Sequence, residues 1–539
     1  MALPARKRTL QILVGAAIVT IAASVTFIRG AGLFIFDDTS PTEVASGLPA
    51  TLANVLAPTD VLTVEEIRAA RAWEEPDYSE QAFALGWKDD TFESPALMRS
   101  RVDFWKTIYT KYSTDQGVIH DPVSLDVYES VQFAPLKPGD SLTMNGRARQ
   151  KLIDQKRSFI SEHLLRLQDR LDQLRSTAVT TPFESAPTPT PASLMASVGQ
   201  RSDLNGDDLR YWTLFETNND PNKFRRAASR IRFQLGQRDK FYLGIYYSGR
   251  YLTEMEKVFR EEGLPIELTR LPFVESSFNT RARSKVGASG IWQFMPRTAR
   301  PYMKVNQTLD ERNDPLVSTR AAARLMRGNF MMLHSWPLAV TAWNHGPSGV
   351  RNIVEKFHTS DISKIVNGYS SRTFGFASQN FYACFLAVLE IEAEATTYFV
   401  GPVWQTPIEF TEIKIPAQPV NWAQIVKLFG DDDARAQDYN PQITVSGRSA
   451  RQHLPAGIKI RIPKESIALA AALFSKPKRT ATKAKPTPAP EPVPAPEPTA
   501  SPEPTASLEA TPQSEPTATP TSSSVPSETD KLETSPAEG

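Results

Sequence analysis

Apolar positions recur with a helical period through much of the chain. The clearest stretch is Phe159–Arg175, where Ile160, Leu164, Leu167, Leu171 and Leu174 follow at alternating four- and three-residue steps, with Arg, Asp and Glu between them. That spacing predicts an amphipathic helix that buries one stripe. The whole of Val61–Arg175 reads as helical, and so does Asp203–Gly263. A shorter stripe, Leu264, Leu268, Leu271 and Val274, begins behind Gly263 and Pro265, a pair suited to ending one helix and starting the next. Over 408–463 the pattern changes. The β-type runs Ile408–Phe410, Ile443–Val445 and Ile458–Ile462 flank a helical stretch, Trp422–Phe429.

Two segments have no globular period. Leu10–Ile28 is a continuous apolar run behind Arg6, Lys7 and Arg8, a basic flank followed by a membrane-seeking segment. It is longer than an ordinary signal core and near bilayer length. The expectation is an uncleaved inner-membrane anchor that leaves the rest of the chain on the periplasmic side, with a cleaved signal peptide as the alternative. At the other end, Lys476 onward consists of Pro, Ala, Thr, Ser and Glu, too poor in apolar side chains to offset backbone ordering, so a disordered tail is expected. The organisation predicted is therefore an anchor (1–29), a tether (30–60), a helical N-terminal region (61–200) ending in a Pro/Thr-rich linker, a domain at 201–400 with its core at 264–395, a small α+β module (408–463) and the tail (476–539). The fold class is mainly α.

Composition removes several possibilities. Of 539 residues, 61 are Lys or Arg and 60 are Asp or Glu, so net charge gives no reason to expect a nucleic-acid partner. The basic stretch Lys223–Lys240 is read as a solvated face. A lone cysteine, Cys384, cannot form an internal disulfide. The six histidines are scattered and show no metal-ligand spacing, so neither a metal nor another cofactor is expected.

The chemistry concentrates behind the short apolar stripe. Glu275 follows Phe273 and Val274 and precedes Phe278. A carboxyl among such neighbours is expected to lose water, which raises its pKa toward that of a general acid. Behind it come Ala282, Ser284, Gly287, Ala288, Gly290, Trp292, Gln293, Phe294, Met295 and Pro296. Gln293 offers a donor and an acceptor for an N-acetyl group or a sugar hydroxyl. Trp292, Phe294 and Met295 would form an apolar floor for a sugar.

This string, Glu275-Ser276-Ser277-Phe278 and then Ala282 to Ala299, resembles the signature of the soluble-lytic-transglycosylase (SLT) family, within it the membrane-bound D type. Ala342-Trp343-Asn344-His345-Gly346 resembles that family's Ala-Tyr-Asn-x-Gly motif, with Trp343 in the tyrosine's place. Asp310-x-Arg312-x-Asp314-Pro315 matches its middle segment. The resemblance spans about residues 240–395 and implies a goose-type-lysozyme-like helical domain. It also implies that Glu275 is the single catalytic acid/base, that Ser284, Gln293, Met295, Trp343 and Asn344 hold the sugar, and that peptidoglycan glycan strands are the partner. The family's late Glu-Thr-x-x-Tyr-Val stretch corresponds to Ala377–Tyr382. There the Glu is missing and the Tyr falls on Phe381 or Tyr382, of which Tyr382 is preferred. Asn440-Pro441 and Leu454–Pro463 resemble the end of a LysM glycan-binding repeat, whose usual front half is absent; a packing module without affinity for glycan is the equal alternative.

Ordinary glycosidases use two carboxylates. The next ones after Glu275 are Asp310, Glu311 and Asp314, in a polar turn-like stretch where caps and salt links are expected. The resemblance therefore implies non-hydrolytic cleavage of the MurNAc–GlcNAc bond, which leaves 1,6-anhydro ends. Hydrolysis of the same bond and a non-catalytic wall-binding scaffold are the rivals.

Overall fold

The computed structural model describes residues 61–62, 92–133, 146–180, 204 and 206–475. The expected anchor, tether and tail lie outside these residues, as does the Pro/Thr-rich linker beyond Thr180. Among the described residues, no helix is long and apolar enough to cross a membrane.

The fold is mainly helical and centres on helix α6 (Phe376–Ala393; α1–α5 are given below). Twelve of its 18 residues are buried, from Ala377 to Ile391. The run Phe381–Val388 is apolar without interruption, and a helix that is apolar all round can only sit inside. Helix α1 (Arg99–Thr110) packs along it and buries Val102, Phe104, Trp105, Ile108 and Tyr109. The polar groups of α6 that face α1 are satisfied: the Asn380 amide oxygen accepts from Arg101 Nη1 and Trp105 Nε1, each at 3.2 Å, and Glu390 pairs with Arg99 at 2.7 Å and Lys106 at 2.8 Å. Helix α1, from the region read as an N-terminal extension, thus belongs to the same core as the SLT-like segment.

A second core lies beneath the stripe of α2 (Gly146–Thr180). Ile160, Leu164 and Leu167 are buried against Tyr128, Tyr211 and Phe224. The helical reading of 61–175 and 203–263 fails here. Strands β1 (Gln116–His120) and β2 (Val127–Gln132) pair antiparallel, and β3 (Arg232–Leu235) adds to the other edge of β1. The basic stretch is a solvated face at Arg225 and Arg226, which are exposed, but not throughout. Lys223 is buried and donates to the Phe215 carbonyl at 2.6 Å, while Arg225, Arg226 and Arg230 pair with Asp172, Asp220 and Asp121.

The third core is the module at the C-terminal side. Strand β4 (Thr411–Lys414) pairs antiparallel with β5 (Lys459–Ile462), and α7 (Trp422–Lys427) and α8 (Asp433–Tyr439) lie between them in sequence. Asn421 starts α7 with a capping box to Gln424. Of the expected β-runs only the last is a strand. Ile408–Phe410 precedes β4, and Ile443 makes a single bridge, to Leu309. Leu309 belongs to the SLT-like segment, yet its side chain is buried in the core of the module.

Candidate active site

Glu275 lies near the end of a short helix, α3 (Leu271–Ser276), with Pro272 in its first turn. Arg270 fixes the start of α3 through buried ion pairs with Glu256 at 2.5 Å and Glu392 at 2.7 Å. The helix then stops abruptly. Ser277 (φ 51°) and Phe278 (φ 57°) both adopt left-handed backbone, a conformation costing of order 1 kcal/mol or more for a side chain such as phenylalanine. Packing of Phe278 edge-on against Phe273, 4.8 Å between centroids, holds it there. No glycine marks this turn, so the sequence gives no sign of it.

The Glu275 side chain is buried, 4% exposed. Burial pushes its pKa up to about 8, and a single hydrogen bond opposes the shift, from Trp343 Nε1 to Oε1 at 2.8 Å. Trp343 stands on α5 (Trp336–His345) and leans on Trp292 and Phe294, with ring centroids 5.4 and 5.2 Å away. The substitution that costs the motif a hydroxyl thus supplies an indole N–H to the acid. The Tyr382 ring is buried on α6 but makes no hydrogen bond to Glu275. Phe381 beside it is buried too.

The signature loop folds on itself. Gly290 N donates to the Ala282 carbonyl and Ser284 N to that of Ala288; Ser284 Oγ accepts from Ala288 N at 2.9 Å. Gln293 spends both donors inside the loop, on the carbonyls of Ala282 (3.1 Å) and Gly290 (2.7 Å), leaving only Oε1 without a partner. Trp292 and Phe294 are fully buried, so the expected apolar floor is corrected: they form a layer under Trp343, and of the three only Met295 is exposed. Asn344 is held by Ser378 Oγ, which donates to its Oδ1 at 2.8 Å, and its amide N–H groups remain unused. Ser378, on α6, is an orienting residue that sequence reasoning passed over, although it lies in the stretch matched to the family's late motif.

The loop is clamped from outside by Arg312. Its Nη1 donates to the carbonyls of Gly287 (2.6 Å) and Phe294 (2.9 Å), and its Nε and Nη2 bind the two oxygens of Asp310. On the Glu275 side, Ser276 Oγ donates to the Ile291 carbonyl at 2.9 Å. Gly290 has φ +78°, and a Cβ there would lie 1.8 Å from the Arg312 carbonyl oxygen. Gly290→Ala is therefore expected to lose about 3 kcal/mol or more of stability, measured by urea unfolding.

The next three carboxylates in the chain are occupied. Asp310 holds Arg312. Glu311 accepts from the Lys304 backbone at 2.6 Å. Asp314 caps helix α4 (Pro315–Leu333) by accepting from Leu316 N and Val317 N. Glu275 is thus a carboxyl with a raised pKa, and among the described residues the three carboxylates that follow it are engaged elsewhere. Among the described residues, no group of three or more His, Cys, Asp or Glu side chains is placed to hold a metal ion.

Comparison with known proteins places this geometry. Residues 256–366 match the family model of the transglycosylase SLT domain. The membrane-bound lytic murein transglycosylase D of Escherichia coli (strain K12) is 28% identical over 200 residues, 36% of this chain and 43% of the relative. The same protein of E. coli O6:H1 gives the same figures. A protein described for tributyltin chloride resistance in Alteromonas sp. (strain M-1) is 38% identical over 112 residues, 20% of this chain and 49% of the relative. The chain spans less than half the length of each of these relatives. It carries a transglycosylase SLT domain.

Proposed function

We propose that this SLT-bearing chain is a lytic transglycosylase of the cell envelope that cleaves the MurNAc–GlcNAc β-1,4 bond of peptidoglycan without water. The observation that carries the reading is Glu275: a buried carboxyl with a pKa near 8, bonded to one indole, while Asp310, Glu311 and Asp314 serve caps and ion pairs. At neutral pH it holds its proton and can give it to the glycosidic oxygen. As the bond to the MurNAc C1 breaks, the proton stays on the departing GlcNAc oxygen and Glu275 becomes a carboxylate. The substrate's N-acetyl group stabilises the cationic centre. The carboxylate then takes the proton of the MurNAc C6 hydroxyl, and that oxygen closes onto C1 to form the anhydro ring. Acid and base are the same group, which suits a site with a single carboxyl.

Met295, the remaining O–H of Ser284 and the free amide of Asn344 are the groups available to the sugar, with Trp343 beside the acid; Gln293 Oε1 and Tyr382 are buried. Hydrolysis of the same bond would call for a base to activate water, and the next three carboxylates in the chain, Asp310, Glu311 and Asp314, are engaged elsewhere. Anchoring in the inner membrane through residues 10–28 and binding of glycan by 408–463 are further parts of the proposal. They rest on the basic-then-apolar sequence of the first and the LysM-like sequence of the second.

The test is the pH dependence of fragment release from purified sacculi. Activity requires the protonated acid, so the rate should fall as pH rises through about 8. A rate that still climbs through that range would remove Glu275 from the role of acid.

A further inference from the structure

The C-terminal module meets the SLT domain at Arg250, which pairs with Asp438 at 2.5 Å, and along the segment Asn306–Asp314, the one whose Arg312 clamps the signature loop. The attachment is built like a protein interior. Leu309 is buried in the core of the module. Asp310 N donates to the Gln442 carbonyl at 2.8 Å, and Thr444 N to that of Thr308 at 3.2 Å. Gly447 lies so close that a Cβ would stand 2.4 Å from the Thr308 carbonyl oxygen.

At the centre is a buried ion pair between the domains. Arg461 Nη2 meets Asp314 Oδ1 at 2.8 Å, and the residues are 4% and 2% exposed. Asn440 sets the arginine's backbone, accepting from Arg461 N and donating to its carbonyl, both at 2.8 Å. Asn440 and Arg461 are among the positions that gave the module its LysM-like look. Here Asn440 is spent inside the module, and Arg461 reaches across to the SLT domain.

From these contacts we propose that the module positions the active-site loop: docked through Arg461, Gly447 and Leu309, it fixes the 306–314 strap and, through Arg312, the carbonyls of Gly287 and Phe294. Arg461 is then a positioning residue for the reaction. A buried pair of this kind is a weak source of net stability but a specific one, because removing one partner strands the other charge. The network is contiguous from Arg461 to the loop, and coupling along it is measurable. The kinetic part of the proposal rests on the transglycosylase reading; the structural part does not.

The experiment uses the full chain as wild type, Arg461→Met, Arg461→Lys and Gly447→Ala, with Lys464→Ala as a control at an exposed ion pair of the same module. Hydrogen–deuterium exchange is followed in 282–294 and in α6, and kcat and KM are measured on sacculi. The expected result for Arg461→Met and Gly447→Ala is exchange in the loop faster by about tenfold, with α6 unchanged. Their kcat should fall about tenfold at a KM within twofold of wild type, with partial recovery in Arg461→Lys and none of these effects in Lys464→Ala. Loop exchange as slow as wild type in both variants would overturn the proposal and leave the module an appendage. So would exchange accelerated equally in α6, which would be general destabilisation, or a rise in KM alone, which would be glycan capture. If the wild type cleaves no peptidoglycan, the proposed function fails, while the exchange measurement still decides this inference.

Discussion

Glu275→Gln is expected to lower cleavage of sacculi at least about a thousandfold, because one change removes both the acid and the base of the reaction. The fold should survive it. A glutamine keeps the shape and can still accept the Trp343 N–H through its amide oxygen. It also spares the chain a cost. The folded pKa of Glu275 lies above the ordinary carboxylate value, at about 8. Its contribution to stability is therefore fully present at acid pH and is lost as pH rises toward 8, where the buried group must ionise in the folded state. The variant has no such dependence. Thermal unfolding should show Glu275→Gln close to wild type at pH 4.5 and more stable at pH 8.5, by an amount on the order of a few kcal/mol. A variant that is inactive but equally destabilised at both pH values would owe its inactivity to misfolding.

Trp343→Phe should have the second-largest effect. Phenylalanine preserves the packing on Trp292 and Phe294 and deletes only the donor to Glu275. That donor favours the carboxylate, which is the form Glu275 takes once it has given up its proton. Losing a hydrogen bond to a charged group costs about 1.5–3 kcal/mol, so kcat should fall about 10- to 100-fold. The bond also lowers the pKa of Glu275. Without it the pKa rises further, and the alkaline limb of the pH–rate profile should move up. A fall in kcat with the limb unmoved would make Trp343 a wall of the cleft and nothing more.

How much of this was readable from sequence depends on the range of the interactions. The stripe of α2, the apolar run of α6 and the ordered string behind Glu275 are local patterns, and each is matched by a local structural fact. The strands at 116–120, 127–132 and 232–235 escaped because they are four to six residues long, too short to establish a period. A bulge at Ile119–His120 also breaks their alternation. The left-handed turn at Ser277 and Phe278 uses no glycine, so it left no mark. Gln293 looked like a sugar ligand because an amide in a glycine-rich string can bind outward or inward; the structure spends its donors inward. The Arg461–Asp314 pair joins residues 147 positions apart, and no local pattern announces such a partner. Trp343 is the instructive case: it stands in the place of the family's tyrosine, and its geometry shows an indole N–H reaching the acid.

The central claim is that one buried carboxyl cleaves the glycan without water. Mass spectrometry of the fragments released from sacculi by the full chain tests it most directly. The prediction is that new chain ends are 1,6-anhydro-MurNAc, one water lighter than a hydrolysed end, and that they are absent when Glu275→Gln is used. Glu275-dependent fragments ending in reducing MurNAc would contradict the account and make the protein a hydrolase.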